Sequence, residues 1–114
     1  VKILICEDEA VIALALEDLL EDLGHEVAGS VRDSSAALRV ARERGAELAI
    51  VDLGLADGWG GPRLIDELSA LGVGCIVVSG QAEDLDAPEV TVGVLSKPVD
   101  ERKLAELISR HAQR

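Results

Sequence analysis

Six polar side chains in this 114-residue chain have types that can do chemistry and positions that ask for an explanation. Glu7, Asp8 and Glu9 stand side by side at the end of the apolar run Ile3–Cys6, immediately before a helical pattern. Asp52 directly follows "LAIV", and Ser79 directly follows "CIVV". Lys97 sits between "VLS" and Pro98 in a chain with only three lysines. Adjacent carboxylates repel, and burial makes the repulsion worse, so water or a cation must offset it. An isolated buried ammonium is equally costly, so Lys97 requires a carboxylate or phosphate partner.

Together these groups suit phosphoryl transfer to a carboxylate. Mg²⁺ takes octahedral oxygen ligands, keeps several waters, and is usually held by one or two carboxylates plus phosphate oxygens. Glu7, Asp8 and Asp52 can supply that charge. Asp52 would be the nucleophile and form an acyl phosphate. Lys97 would neutralise one phosphoryl oxygen and the Ser79 hydroxyl would donate to another. Glu9 is expected to face solvent in the first helical turn, where an acid favours the helix dipole. Taken singly, Asp8 or Ser79 reads equally well as a helix cap. The joint occurrence favours the chemistry.

Elements that bring such distant residues together must alternate. "KILIC", "EVAGS", "ELAIVD", "CIVVS" and "VTVGVL" (Val90–Leu95) read as five strands. Between them, Ile12, Leu16, Leu19, Leu20 and Leu23 recur at helical spacing up to a stop at Gly24. Ala37, Leu38 and Ala41 mark a second helix ending at Gly45, and Pro62 opens a third carrying Leu64, Ile65, Leu68 and Leu71. Asp100 caps a last helix with Leu104, Leu107, Ile108 and His111. The segment from Gly80 to Glu89 is short, acidic and closed by Pro88, which predicts a fourth helix that is short or poorly ordered. Strands alternating with helices imply a doubly wound α/β domain: a parallel sheet with helices on both faces and its ligand site beyond the carboxyl ends of the strands.

Composition sets the remaining bounds. Hydrophobic residues make up 48% of the chain and aromatics 1%, so the core is aliphatic. A formal charge of −11 argues against nucleic acid as a direct partner. No apolar run approaches the ~20 residues needed to span a bilayer, and no signal-peptide pattern opens the sequence. The chain starts at Val1 rather than Met, as a domain cut from a longer protein would. Cys6 and Cys75 lie inside predicted strands and read as buried free thiols in a reducing cytosol. His25 and His111 lie away from the predicted edge and read as structural or solvated. Trp59, the sole aromatic, is either a surface loop residue or an anchor for a partner.

Over residues 1–114 the sequence resembles the receiver domain of two-component response regulators. The resemblance is carried by "ILICEDE" with Glu7 and Asp8, "IVDLGL" with Asp52, "VVSG" with Ser79, "LSKP" with Lys97, and Gly60 where receivers commonly have glycine. It implies a five-stranded sheet in the order 2-1-3-4-5 and a Mg²⁺ held by Asp8, Asp52 and the Gly54 carbonyl, with Glu7 acting through water. It further implies a cis Lys97–Pro98 bond. The donor would be a phosphohistidine on a histidine kinase or histidine phosphotransfer protein, and the output a downstream protein partner or an attached domain. The expected location is cytoplasmic, with no membrane partner. Such a domain is not an enzyme beyond phosphorylating and dephosphorylating itself.

Three departures from the family pattern matter. Val94 replaces the aromatic usual three residues before the lysine, so the common Ser/Thr–aromatic coupling cannot operate. The Ser79-to-Lys97 interval is shorter than usual, and Ala56 replaces a frequent proline. These features resemble a receiver subgroup found in bacterial stress phosphorelays. Gln81 and Gly54 occupy positions that tune phosphate lifetime in the family. Two other functions compete: an aspartyl-phosphate hydrolase of the haloacid dehalogenase type, which needs its Asp-x-Asp at the first strand where this chain has "EDEA", and a phosphate-independent interaction module with a receiver fold.

Overall fold

The computed structural model describes residues 1–52, 61–79 and 91–112. Five strands form one parallel sheet: β1 (Lys2–Cys6), β2 (Glu26–Val31), β3 (Leu48–Asp52), β4 (Gly74–Ser79) and β5 (Thr91–Ser96), in the order β2-β1-β3-β4-β5. The described helices are α1 (Ala10–Asp22), α2 (Ser34–Arg44), α3 (Gly61–Ala70) and α4 (Glu101–Ala112). The Gly80–Glu89 segment lies outside the described residues.

The sheet order explains the composition of the strands. β1, β3 and β4 are central and almost wholly buried, so both of their faces are apolar. β2 and β5 lie at the edges, where burial alternates with exposure. Alternation then divides the core in two. Leu4, Cys6, Ala49, Val51, Cys75 and Val77 face α2 and α3, which supply Ala37, Leu38, Ala41, Leu64, Ile65 and Leu68. Ile3, Ile5, Leu48, Ile50, Ile76 and Val78 face α1 and α4, which supply Leu16, Leu20, Leu104 and Ile108. The two cysteines are free and buried, and burial pushes the Cys75 thiol up to about 12 and the Cys6 thiol higher still. Both therefore stay protonated and behave as small apolar side chains.

Local signals set the helix ends. Asp33 caps α2, its Oδ1 accepting from the Ala36 N–H at 2.8 Å, and Gly45 closes that helix in the left-handed region at φ 66°. Asp100 caps α4, its Oδ1 accepting from the Arg102 and Lys103 N–H groups at 2.9 and 3.1 Å. Four strands differ from the sequence reading by one residue at an end: β2 continues to Val31, β3 starts at Leu48 rather than Glu47, β4 starts at Gly74 rather than Cys75, and β5 runs Thr91–Ser96. The shifts fall on central and edge strands alike, at strand ends where the apolar run gives way to polar residues or glycine. Among the described residues no helix is long and apolar enough to cross a membrane.

Candidate functional site

The site is built where the central strands end. The Glu7 N–H donates to the Val31 carbonyl at 2.9 Å, extending the β1–β2 ladder by one residue. Cys6 pairs with Val51, so Glu7 comes level with Asp52, the last residue of β3. By alternation, Glu7 follows Ile3 and Ile5, and Asp52 follows Leu48 and Ile50, so both belong to the α1/α4 side of the sheet.

Lys97 arrives from the other direction. Ser79 pairs with Ser96, and the Lys97 N–H donates to the Ser79 carbonyl at 3.0 Å, extending β4–β5 in the same way. β5 lies two strands from β3, about 9–10 Å away, a gap that a long side chain can bridge. The Lys97 Nζ reaches Asp52 Oδ2 at 3.0 Å and Glu7 Oε1 at 3.8 Å. The Lys97–Pro98 bond is cis, as the resemblance implied. Ser79 ends β4 one residue beyond Val78, the register partner of Asp52.

Glu7 is 3% exposed and Asp52 5%, and they are the buried acids among the described residues. Burial raises the Glu7 carboxyl to about 7, reinforced by its hydrogen bond to Asp52 and by the Asp52 charge, while Lys97 opposes the rise. Burial pulls the Lys97 ammonium down, but the hydrogen bond to Asp52, the Asp52 charge and the Glu7 charge hold it above the ordinary lysine value. One cation thus serves two buried carboxylates, and negative charge remains in excess. Asp8, half-buried, adds a third: Glu7, Asp8 and Asp52 each offer an oxygen within 4.8 Å of the others. An all-oxygen, net-negative donor set fits a hard divalent cation.

Each sequence-derived residue can now be placed. Glu7, Asp8, Asp52 and Lys97 come together, and Ser79 stands at the same edge. Asp8 is not a helix cap, because the N-cap of α1 is Glu9 and no side chain caps it. Glu9 is exposed as expected but occupies the cap rather than the first turn. Val94, where the family aromatic was expected, is exposed on β5. Gly54, Ala56, Trp59, Gly60 and Gln81 lie outside the described residues. Ser30 and Arg32 entered through the structure alone: they share with Glu7 and Asp8 a cavity of about 310 Å³. Nothing in their types marks them, and only their place at the end of β2 would have.

Comparison with known proteins agrees with this geometry. The response regulator receiver domain model matches residues 3–109. The phyllosphere-induced regulator PhyR of Methylorubrum extorquens is 43% identical over 68 residues, covering 59% of this chain and 26% of that protein. The chain therefore spans about a quarter of that relative's length. A CheY-like receiver domain from Methylobacillus flagellatus superposes with TM-score 0.86 at 31% identity, covering 96% of this chain and 97% of that one. The anti-anti-sigma factor PhyR from Bartonella quintana superposes with TM-score 0.84 at 27% identity, covering 98% of this chain and 47% of that one. A matching family model over nearly the whole chain, on a sheet of order 2-1-3-4-5 with this acidic edge, makes the protein a member of the response regulator receiver domain family.

Proposed function

We propose that the chain accepts a phosphoryl group on Asp52 from a phosphohistidine, with Mg²⁺, and that the modified site alters its contacts with protein partners. The observation that carries this reading is the buried Asp52 carboxylate held 3.0 Å from the Lys97 ammonium and grouped with Glu7 and Asp8. An Asp52 oxygen attacks phosphorus, the P–N bond to the donor imidazole breaks, and the imidazole leaves on protonation. The products are an acyl phosphate and a neutral histidine. The Lys97 ammonium stays beside the new phosphoryl oxygens and offsets their charge, with Ser79 at the same edge to donate a further hydrogen bond. Mg²⁺, held by Asp8, Asp52, the Gly54 carbonyl and Glu7 through water, would supply compensating charge on the transferring group. Turnover of other substrates is not part of this function, and the chemistry stays on the chain itself.

Output through a protein partner is favoured by the PhyR likeness, since one such relative is an anti-anti-sigma factor. The partner would be cytoplasmic, either a separate protein or an attached domain. The test is incubation with acetyl phosphate and Mg²⁺, followed by peptide mapping under conditions that preserve acyl phosphates. A single adduct at Asp52 is expected, not formed when EDTA is present from the start and absent from Asp52→Asn. An adduct elsewhere, or none, refutes the reading.

A further inference from the structure

Two cations flank the buried acids, one from each edge of the sheet, and among the described residues only one of them is engaged. Asp52 ends the central strand β3. Lys97 follows β5, two strands away on one side, and reaches Asp52 at 3.0 Å. Arg32 follows β2, two strands away on the other side. Cys6 pairs with Val31, so Arg32 comes level with Glu7, about 5 Å across the ladder. Ser30 pairs with Ile5, and alternation places Arg32 on the α1/α4 side that Glu7 shares. Arg32, Glu7, Asp8 and Ser30 line one cavity of about 310 Å³, space in which a guanidinium can move. Arg32 is nonetheless exposed, and no ion pair or hydrogen bond holds it among the described residues.

Charge balance explains why it stands apart. Glu7, Asp8 and Asp52 carry three negative charges when ionised, which Lys97 and a divalent cation offset. Phosphoryl transfer replaces the single charge of Asp52 by about two, so one negative charge is left over. The phosphoryl oxygens also compete for Lys97, which serves Asp52 at 3.0 Å and Glu7 more distantly at 3.8 Å. Glu7 is then the acid that loses its cation, and at 3% exposure it has little water to replace it.

We propose that Arg32 responds to phosphorylation: its guanidinium crosses the cavity to pair with Glu7 once Asp52 is modified, and so carries the change to the start of α2. This rests on the phosphoacceptor reading. The link to α2 is covalent. Asp33, the next residue, caps that helix by accepting from the Ala36 N–H at 2.8 Å. Drawing Arg32 toward Glu7 turns the segment that holds the cap, so the first turn of α2 senses the site. Such a route needs no aromatic side chain at Val94.

Beryllofluoride with Mg²⁺ stands in for the phosphoryl group in the test. A crystal structure of that complex should place the Arg32 guanidinium within about 4 Å of the Glu7 carboxylate. Hydrogen exchange at the Ala36 and Ala37 amides should change when beryllofluoride is added to the wild type, and stay constant in Arg32→Gln. Beryllofluoride should bind Arg32→Gln about fivefold more weakly, with Arg32→Lys recovering most of the loss. Mg²⁺ alone should bind Arg32→Gln at least as tightly as the wild type, because a repelling charge is gone. A guanidinium left in solvent, equal beryllofluoride affinity in Arg32→Gln, or the same exchange response in both proteins overturns the proposal. Weaker Mg²⁺ binding in that variant overturns it too, by making Arg32 a support of the resting site. Failure of beryllofluoride to bind the wild type at all is a different result: it removes the acceptor function, and the role of Arg32 with it.

Discussion

Each end of the sheet pairs a lysine with a carboxylate, in opposite surroundings. At the amino edge, the Nζ of Lys2 of β1 is 3.4 Å from Glu26 Oε2, while its backbone N–H donates to Glu47 Oε1 at 3.1 Å. At the carboxyl edge, Lys97 sits between Asp52 and Glu7 at 3.0 and 3.8 Å. The amino-edge side chains are 37% and 68% exposed, whereas the acids of the carboxyl edge are almost wholly buried. Water screens the first pair and leaves it nearly neutral in energy. The second is screened little, so each charge there depends on the others, and an arriving phosphoryl group or cation meets their full field. Burial, more than pairing, separates a site from a surface.

The largest expected difference comes from removing each lysine. Lys97→Met leaves Glu7 and Asp52 facing one another without a cation. Phosphorylation by acetyl phosphate should slow about 100-fold, and stability should fall by about 1–3 kcal/mol, less than for a fully buried pair because the lysine is partly exposed. The stability loss should be greater at pH 8 than at pH 5, since Glu7 holds its proton at the lower value. Rate assays and urea titrations at both pH values check this. A variant that phosphorylates at the wild-type rate would place the essential cation elsewhere.

How much of this was legible beforehand depended on the kind of information each feature needs. The central strands announced themselves, because burial on both faces demands unbroken apolar runs such as "LAIV" and "CIVV". Their ends and those of the edge strands were off by one residue in four of five cases. Asp52 and Lys97 stood out as charged residues at the ends of apolar runs, and the need of Lys97 for a partner followed from desolvation alone. Which acids lie buried did not follow. That depends on the register Cys6–Val51, which sets Glu7 level with Asp52, and on the backbone bond from Glu7 to Val31. Alternation from Ile5 would have put Glu7 on the α1 side, but only a sheet order tells which strand lies beside it. Val11 and Leu14 fell off the apolar stripe read for the first helix, and both are exposed.

A smaller effect separates the edges by pH. The Glu7 carboxyl is raised to about 7, so the folded protein keeps a proton that the unfolded chain has already lost. Wherever the native state binds more protons, stability falls as pH rises. Without divalent cations, the contribution of Glu7 should therefore decline between the ordinary carboxylate range and about pH 7, then level off. Glu7→Gln should remove that slope, and Asp52→Asn should reduce it, because Asp52 supplies two of the causes of the shift. Divalent cation should bind more tightly as pH rises through the same window, because it displaces the proton. Thermal melts from pH 5 to 8 with and without Mg²⁺ read all three. A wild-type slope of opposite sign, or one unchanged in Glu7→Gln, would mean that Glu7 enters the folded state ionised.

The smallest effect should come from the amino edge, and its smallness is what gives the comparison its meaning. Lys2→Ala removes one exposed ion pair, so about 0.5 kcal/mol or less should be lost, shrinking further with salt. A double-mutant cycle with Glu26→Gln isolates the pair from the packing of the lysine stem. If the coupling reached about 2 kcal/mol, pairing alone would confer strength irrespective of burial. The carboxyl edge would then owe its distinct character to Asp8 and the surplus of negative charge. A coupling near zero leaves desolvation as the source of that character, and it predicts that polar substitutions opening the α1/α4 side to water would weaken the Lys97–Asp52 contact while every charged residue stays in place.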